Sequence, residues 1–156
     1  DSIGAEVTVI ASGMPAGLGD QLFDRLDAAI AQALMSINAV KGVEIGAGFA
    51  AARTTGSTNN DPIVAAGEEP ASNNAGGVLG GISDGRPVVL RAAVKPIPSI
   101  AKEQQTVDTR GAAQTIRVGG RHDRSAIPRI VPVCRAMVLL TLADMLLMQE
   151  KNSFVR

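Results

Sequence analysis

The last helical segment constrains the fold more than any other feature. From about Pro128 to Glu150, apolar residues fall on every side of the expected helix: Val131, Val133, Met137, Val138, Leu139, Leu140, Leu142, Leu146 and Leu147. A helix without a polar face must be covered on several sides, so it belongs inside a layered domain. Pro132 falls within its first turns, where a missing N–H costs least. The most apolar part, Ala136 to Met148, is broken by Thr141 and Asp144 and is shorter than the roughly 20 residues of a bilayer span. No membrane segment is therefore expected. A chain of 156 residues closes one core and is short for two.

The rest of the chain supplies the other layer. Glu6 to Ala11 alternates polar and apolar and leads into Gly13, Pro15, Gly17 and Gly19, a strand followed by a loop. Asp20 is placed to cap a helix carrying Leu22, Leu26, Ile30, Ala33 and Leu34 on one stripe and ending near Ser36. Val40 to Ile45 reads as a strand, and residues 54–77 as a long loop. Two strands near Val78–Ile82 and Val88–Val94, with Ser83-Asp84-Gly85 between them, suggest a hairpin. Two prolines in Lys95-Pro96-Ile97-Pro98-Ser99 exclude helix and central strand, and Thr115 to Val118 reads as a short strand. The expected class is α+β, a layered sandwich with antiparallel sheet packed on buried helices.

Composition removes several functions. The 15 basic and 15 acidic residues cancel, and there is no Trp, no Tyr and only three Phe, which leaves neither a basic footprint nor stacking platforms for nucleic acid. One Cys and one His cannot build a disulfide framework or a Cys/His metal cluster, so no metal site is expected. Cys134 reads as a small buried hydrophobe, and its solitude suits a reducing, cytoplasmic setting. Asp1-Ser2-Ile3-Gly4 shows no export signal and no initiator Met, which suggests a piece of something longer. Gly46-Ala47-Gly48 with Ala51 imitates a dinucleotide fingerprint, but no helix is expected to open there and no acid follows a second strand. A nicotinamide-binding domain rests on that motif alone.

The charge is unevenly spread. Residues 1–90 hold four bases against ten acids, residues 91–156 eleven bases against five acids, and five arginines face one acid between Arg117 and Arg135. A solvated face explains such a run; a seat for a compact polyanion explains it as well, because Arg forks match phosphate and carboxylate. Three segments do not read as plain scaffold. Ser72 to Ile82 places four glycines in six positions, allowing close approach of a ligand or another strand. Lys95 to Ser99 offers a cation and a hydroxyl on a stiff loop. Gly119-Gly120-Arg121-His122-Asp123 sets an aspartate between Arg121 and Arg124, neighbours that favour its ionised form.

In this order, with Gly13-Met14-Pro15-Ala16-Gly17-Leu18-Gly19 and Met35 to Gly46, these segments resemble the C-terminal half of the chorismate synthase family, from about Ile3 to about Leu147. The resemblance implies removal of phosphate from 5-enolpyruvylshikimate 3-phosphate to give chorismate. It implies a requirement for reduced FMN without net redox change, a sandwich of helices between antiparallel sheets, and a homotetramer. Whether NADP supplies the reducing equivalents has no motif in these residues. Carried over residue by residue, flavin contacts fall on Asn38, Ala39, Gly80, Lys95, Pro96, Ile97, Pro98, Ser99 and Arg121. Asp123 matches the family aspartate that handles the proton at flavin N5 after the flavin has assisted phosphate departure and taken up hydrogen from the substrate ring.

Two departures matter. The family usually continues Arg-His-Asp with Pro-Cys, and here Arg124-Ser125 follows. The N-terminal half, with a Gly-Glu-Ser-His-Gly segment, a second catalytic histidine and several substrate-binding arginines, is not among these residues. The expectation is thus half of an active site, residues 1–156 forming an incomplete domain that does not turn over alone. It would be paired with its missing half, or else be an inert fragment that at most binds FMN or self-associates.

Overall fold

A computed structural model describes residues 1–65, 68 and 71–153. Three strands form the main sheet: β1 (Ala5–Ala11), β2 (Val40–Ile45) and β5 (Val88–Val94), in the order β1-β5-β2 and antiparallel throughout. Period-two alternation decides its faces. Val88, Leu90, Ala92 and Val94 are buried beneath the helices, and the register sets Val7 against Ala92 and Val9 against Leu90. A bulge between Val40 and Gly42 shifts β2 so that Val43 and Ile45 meet the same core. The opposite face is polar at its centre, where Arg91 reaches Glu44 at 2.6 Å and Glu6 at 4.0 Å across the strands.

Helix α1 (Leu26–Met35) packs over β2 and beside α3 (Ile127–Ser153), which packs over β1. Leu26, Ile30 and Leu34, spaced by four, form the buried stripe of α1. This helix starts five residues later than the expected cap at Asp20 implies. Leu22 is exposed, and Asp20 does not cap the helix. The Leu26 N–H is instead taken by the Gly81 carbonyl at 2.8 Å. Gly19 permits that approach, since a Cβ there would lie 2.4 Å from the same oxygen. A tertiary partner, invisible to a local pattern, thus sets the start of the helix.

The expected hairpin is also rearranged. Val78–Leu79 (β3) and Ile82–Ser83 (β4) pair with each other around Gly80-Gly81, while β5 leaves them to become the central strand. Ser83 is buried and satisfied: it accepts from the Leu18 N–H at 2.9 Å and donates to the Pro15 carbonyl at 2.7 Å. Between β2 and β3 lie a 3-10 turn (Gly48–Arg53) and a short helix α2 (Gly56–Asn59), so residues 54–77 are not purely loop. The strand expected near Thr115 is β7 (Ala113–Arg117), paired with an unforeseen partner, β6 (Glu103–Val107). Every residue of β7 is exposed, so no burial pattern could reveal the pairing.

Helix α3 buries a single stripe, Ile130, Cys134, Val138, Leu142 and Met145. The covering on several sides expected of it is not supplied by the described residues: Leu140 is 64% and Leu147 63% exposed. By length and composition Ile127–Lys151 reaches the requirement for a bilayer span, correcting the shorter stretch expected. Its buried stripe nevertheless meets α1 and β1, and Arg129, Arg135 and Asp144 within it are costly in hydrocarbon. Cys134 is fully buried and burial pushes its thiol up, away from the reactive thiolate.

Candidate functional site

One end of the β1-β5-β2 sheet gathers segments far apart in sequence. Past α1, a turn closed by the Val40 N–H on the Ile37 carbonyl at 3.2 Å carries Asn38 and Ala39. Ala39 has φ 75°, the sole positive value among described non-glycine residues, at the turn position that usually takes Gly or Asn. An alanine held left-handed stores about 1 kcal/mol, a strain that concentrates at functional sites. Its carbonyl accepts the Lys95 N–H at 2.8 Å, which docks the lysine-proline loop directly on this turn.

Two adjacent N-terminal residues bring in the third segment. Ser2 Oγ donates to the Ile97 carbonyl at 2.6 Å, and the Ile3 N–H donates to the Arg124 carbonyl at 2.9 Å. Gly4 leaves room for the loop, since a Cβ would meet the Val94 carbonyl at 2.8 Å and Pro96 Cδ at 3.3 Å. The Lys95–Ser99 and Arg121–Arg124 segments therefore flank residues 2–4. The side chains of Asn38, Lys95, Ser99 and Arg121 are exposed and available to a ligand.

Asp123 is not paired with either neighbouring arginine. Its Oδ2 lies 3.1 Å from an Nη1 of Arg129, in the first turn of α3. Arg129 and Asn38 also line one open groove of about 460 Å³, with Ile37, Ala126, Ile130 and Met137 supplying apolar surface. His122 turns away, its Nε2 3.1 Å from the Val118 carbonyl. The Arg124-Ser125 pair has structural tasks: the Arg124 carbonyl holds Ile3, and Ser125 Oγ accepts the Ile127 N–H at 3.3 Å at the start of α3.

Gly80 stands apart. It occupies the β3–β4 turn near the start of α1, whereas Asn38 and Ala39 follow its end, about 15 Å away along a ten-residue helix. Of the four glycines in this segment, Gly76, Gly77 and Gly81 face atoms of the chain itself within 3 Å of a built Cβ. Gly80 has nothing within 4 Å and is the one open to a ligand. The segment is locked from behind by Asp61, whose carboxylate is 3% exposed. It accepts from Ser72 Oγ and the Asn74 N–H at 2.7 Å and from the Ala75 N–H at 2.8 Å, with Arg86 at 3.8 Å. Burial raises this carboxyl, but those donors and Arg86 outweigh it and hold it below the usual carboxylate range.

Sequence reasoning missed both Arg129 and Asp61. Arg129 carried a readable signal, a cation placed against the positive end of a long helix. Asp61 carried none that separates it from other loop acids. The dinucleotide imitation is set aside by the fold: Gly48 opens a 3-10 turn off an antiparallel sheet, where a parallel strand and α-helix are needed.

Comparison with known proteins decides the family. The family model described as "Chorismate synthase" matches residues 1–147. The chain belongs to the chorismate synthase family. Chorismate synthase of Oleidesulfovibrio alaskensis is 67% identical over 156 residues, covering 100% of this chain and 43% of that protein. That of Syntrophobacter fumaroxidans is 67% identical over 147 residues, covering 94% of this chain and 41% of the relative. A solved structure described as "Crystal Structure of Chorismate Synthase" superposes with a TM-score of 0.75 at 40% identity, covering 95% of this chain and 38% of that one. The chain thus spans about two-fifths of the chorismate synthases it matches, and its α+β architecture is that of the solved one.

Proposed function

We propose that this chain supplies the flavin-contacting part of an active site that eliminates phosphate from 5-enolpyruvylshikimate 3-phosphate, forming chorismate. The observation that carries the reading is the meeting of the Asn38–Ala39 turn, the Lys95–Ser99 loop and the Asp123 segment at one end of the sheet. The donor set fits reduced FMN: cations and a hydroxyl for its phosphate, an amide for a ring edge, and apolar groove surface for the ring. Bound there, such a flavin would supply transient electron donation that assists departure of the phosphate.

The chain's own residues have distinct tasks in this reading. Lys95, Ser99 and Arg121 hold anionic oxygens, and Pro96, Ile97 and Pro98 keep that loop stiff. Asn38 and Ala39 orient the ring, while Gly80 keeps bulk away from the ligand's far end. Asp123 accepts the proton that the elimination releases. The working enzyme in this proposal is a cytoplasmic homotetramer, and this chain without the remaining length of its relatives is inactive.

The test uses a complete chain, made by placing the upstream portion of the 67%-identical relative before these residues. Chorismate formation from the phosphorylated enol ether is followed with reduced FMN. The expected result is turnover that Asp123→Asn largely abolishes while FMN affinity stays nearly normal, since the change removes a base and no phosphate contact. Undiminished turnover in that variant would remove Asp123 from the chemistry.

A further inference from the structure

We infer that Arg129 is the positioning residue for Asp123, an inference that rests on the role proposed above for that aspartate. The loop carrying Asp123 is anchored next door by the Ile3 N–H on the Arg124 carbonyl at 2.9 Å, but that bond does not fix the carboxylate itself. The group that does is Arg129, 3.1 Å from Oδ2. Local charge alone does not explain the choice, because Arg121 and Arg124 are nearer in sequence and neither forms an ion pair with Asp123 among the described residues.

Helix stability does not explain Arg129 either. It sits in the first turn of a 27-residue helix, where the dipole disfavours a cation by several tenths of a kcal/mol. Nor is the ion pair a stability device: the two side chains are 81% and 39% exposed, a setting in which such pairs contribute little. What Arg129 has uniquely is position. Among the described residues it is the ion-pair partner of Asp123 that also lines the groove Asn38 borders, so it ties the carboxylate to the place where the ligand is proposed to lie. Rooted in a helix whose Ile130 is buried, it gives a loop aspartate a rigid reference.

The experiment is a double-mutant cycle in the completed chain, with chorismate formation and FMN binding both measured. Arg129→Ala is expected to lower kcat by about 10–100-fold, the scale on which misplacing a reacting group acts, with KM and FMN affinity changed less than about threefold. Arg129→Lys, which keeps the charge but not the fork, is expected to recover part of the loss. In the Asp123→Asn background, Arg129→Ala is expected to have almost no further effect on residual turnover. An equal loss in that background, or no loss with Asp123 intact, overturns the inference. Full turnover of Asp123→Asn alone instead overturns the underlying reading of the site, so the two failures are distinguishable. Melting temperatures of the arginine variants are expected to match the parent, because the side chain is exposed.

Discussion

Asp61→Asn tests the idea that one buried carboxylate organises the glycine segment ending at Gly80. The aspartate uses Oδ1 for Ser72 Oγ and the Asn74 N–H, and Oδ2 for the Ala75 N–H, with Arg86 behind. An asparagine can keep the first pair only by turning its NH2 toward Ala75, donor against donor. Flipping the amide rescues Ala75, and the Ser72 hydroxyl can turn to accept from the NH2, but the Asn74 N–H is then left facing a donor. Either way at least one charge-assisted hydrogen bond goes, about 1.5–3 kcal/mol, and a donor is left facing the wrong group. The expected loss is about 2–4 kcal/mol in urea unfolding of the chain at pH 7. The pH dependence supplies an independent check. The folded carboxyl lies below its ordinary value, so its contribution is complete above about pH 4 and is lost as pH falls through the lower folded value. The stability gap between parent and variant must therefore narrow on acidification. A variant within about 0.5 kcal/mol of the parent at pH 7, or a gap that widens in acid, refutes the clamp.

Lys95→Met in the completed chain is expected to weaken FMN by about 1.5–3 kcal/mol, roughly 10- to 150-fold in Kd by fluorescence quenching; unchanged affinity would mean the loop is not the phosphate seat. Gly46→Ala and Gly80→Ala form a matched pair, since φ is 56° and 59°. At Gly46 a Cβ would lie 2.1 Å from the Asn74 carbonyl, so strain and backbone collision together should cost about 3 kcal/mol or more. At Gly80 the space is empty and only about 1 kcal/mol of backbone strain is expected; equal losses in thermal unfolding would contradict the contact geometry.

The strands of the main sheet and α1 were legible from their apolar spacing, and α3 from its long apolar run, which gave the helix but not the single stripe that it buries. What failed to read shares one cause: the deciding partner is distant in sequence. The start of α1 depends on the Gly81 carbonyl, 55 positions away, and the place of β5 depends on β1 and β2 flanking it. The β6–β7 ribbon has no apolar face to betray it. The site divides in the same way. The Lys95–Ser99 loop and the Asp123 segment stood out by local chemistry, and the approach of both to Ala39 and residues 2–4 could not. Asp123 was expected to answer to the adjacent arginines. A helical residue six positions on is its partner instead, because the loop turns back over the first turn of α3.

Helix α3 connects folding to the proposed chemistry. Its uncovered side presents Val131, Val133, Leu139, Leu140, Leu146 and Leu147, each 39–64% exposed. Covering a Val or Leu fully is worth about 1.5–3 kcal/mol, so six partly exposed ones represent several kcal/mol, comparable to the net stability of a domain. The same helix bears Arg129 in its first turn and, through Ile130, Val133 and Met137, part of the groove beside Asn38. Whatever covers the first turns of α3 therefore also roofs the candidate site. Water would leave the groove in the step that buries those side chains, strengthening the Arg129–Asp123 pair that is weak while exposed. On the proposal made here, completing the fold and completing the active site are one event. On the same proposal, the groove becomes a site only when those side chains of α3 are covered.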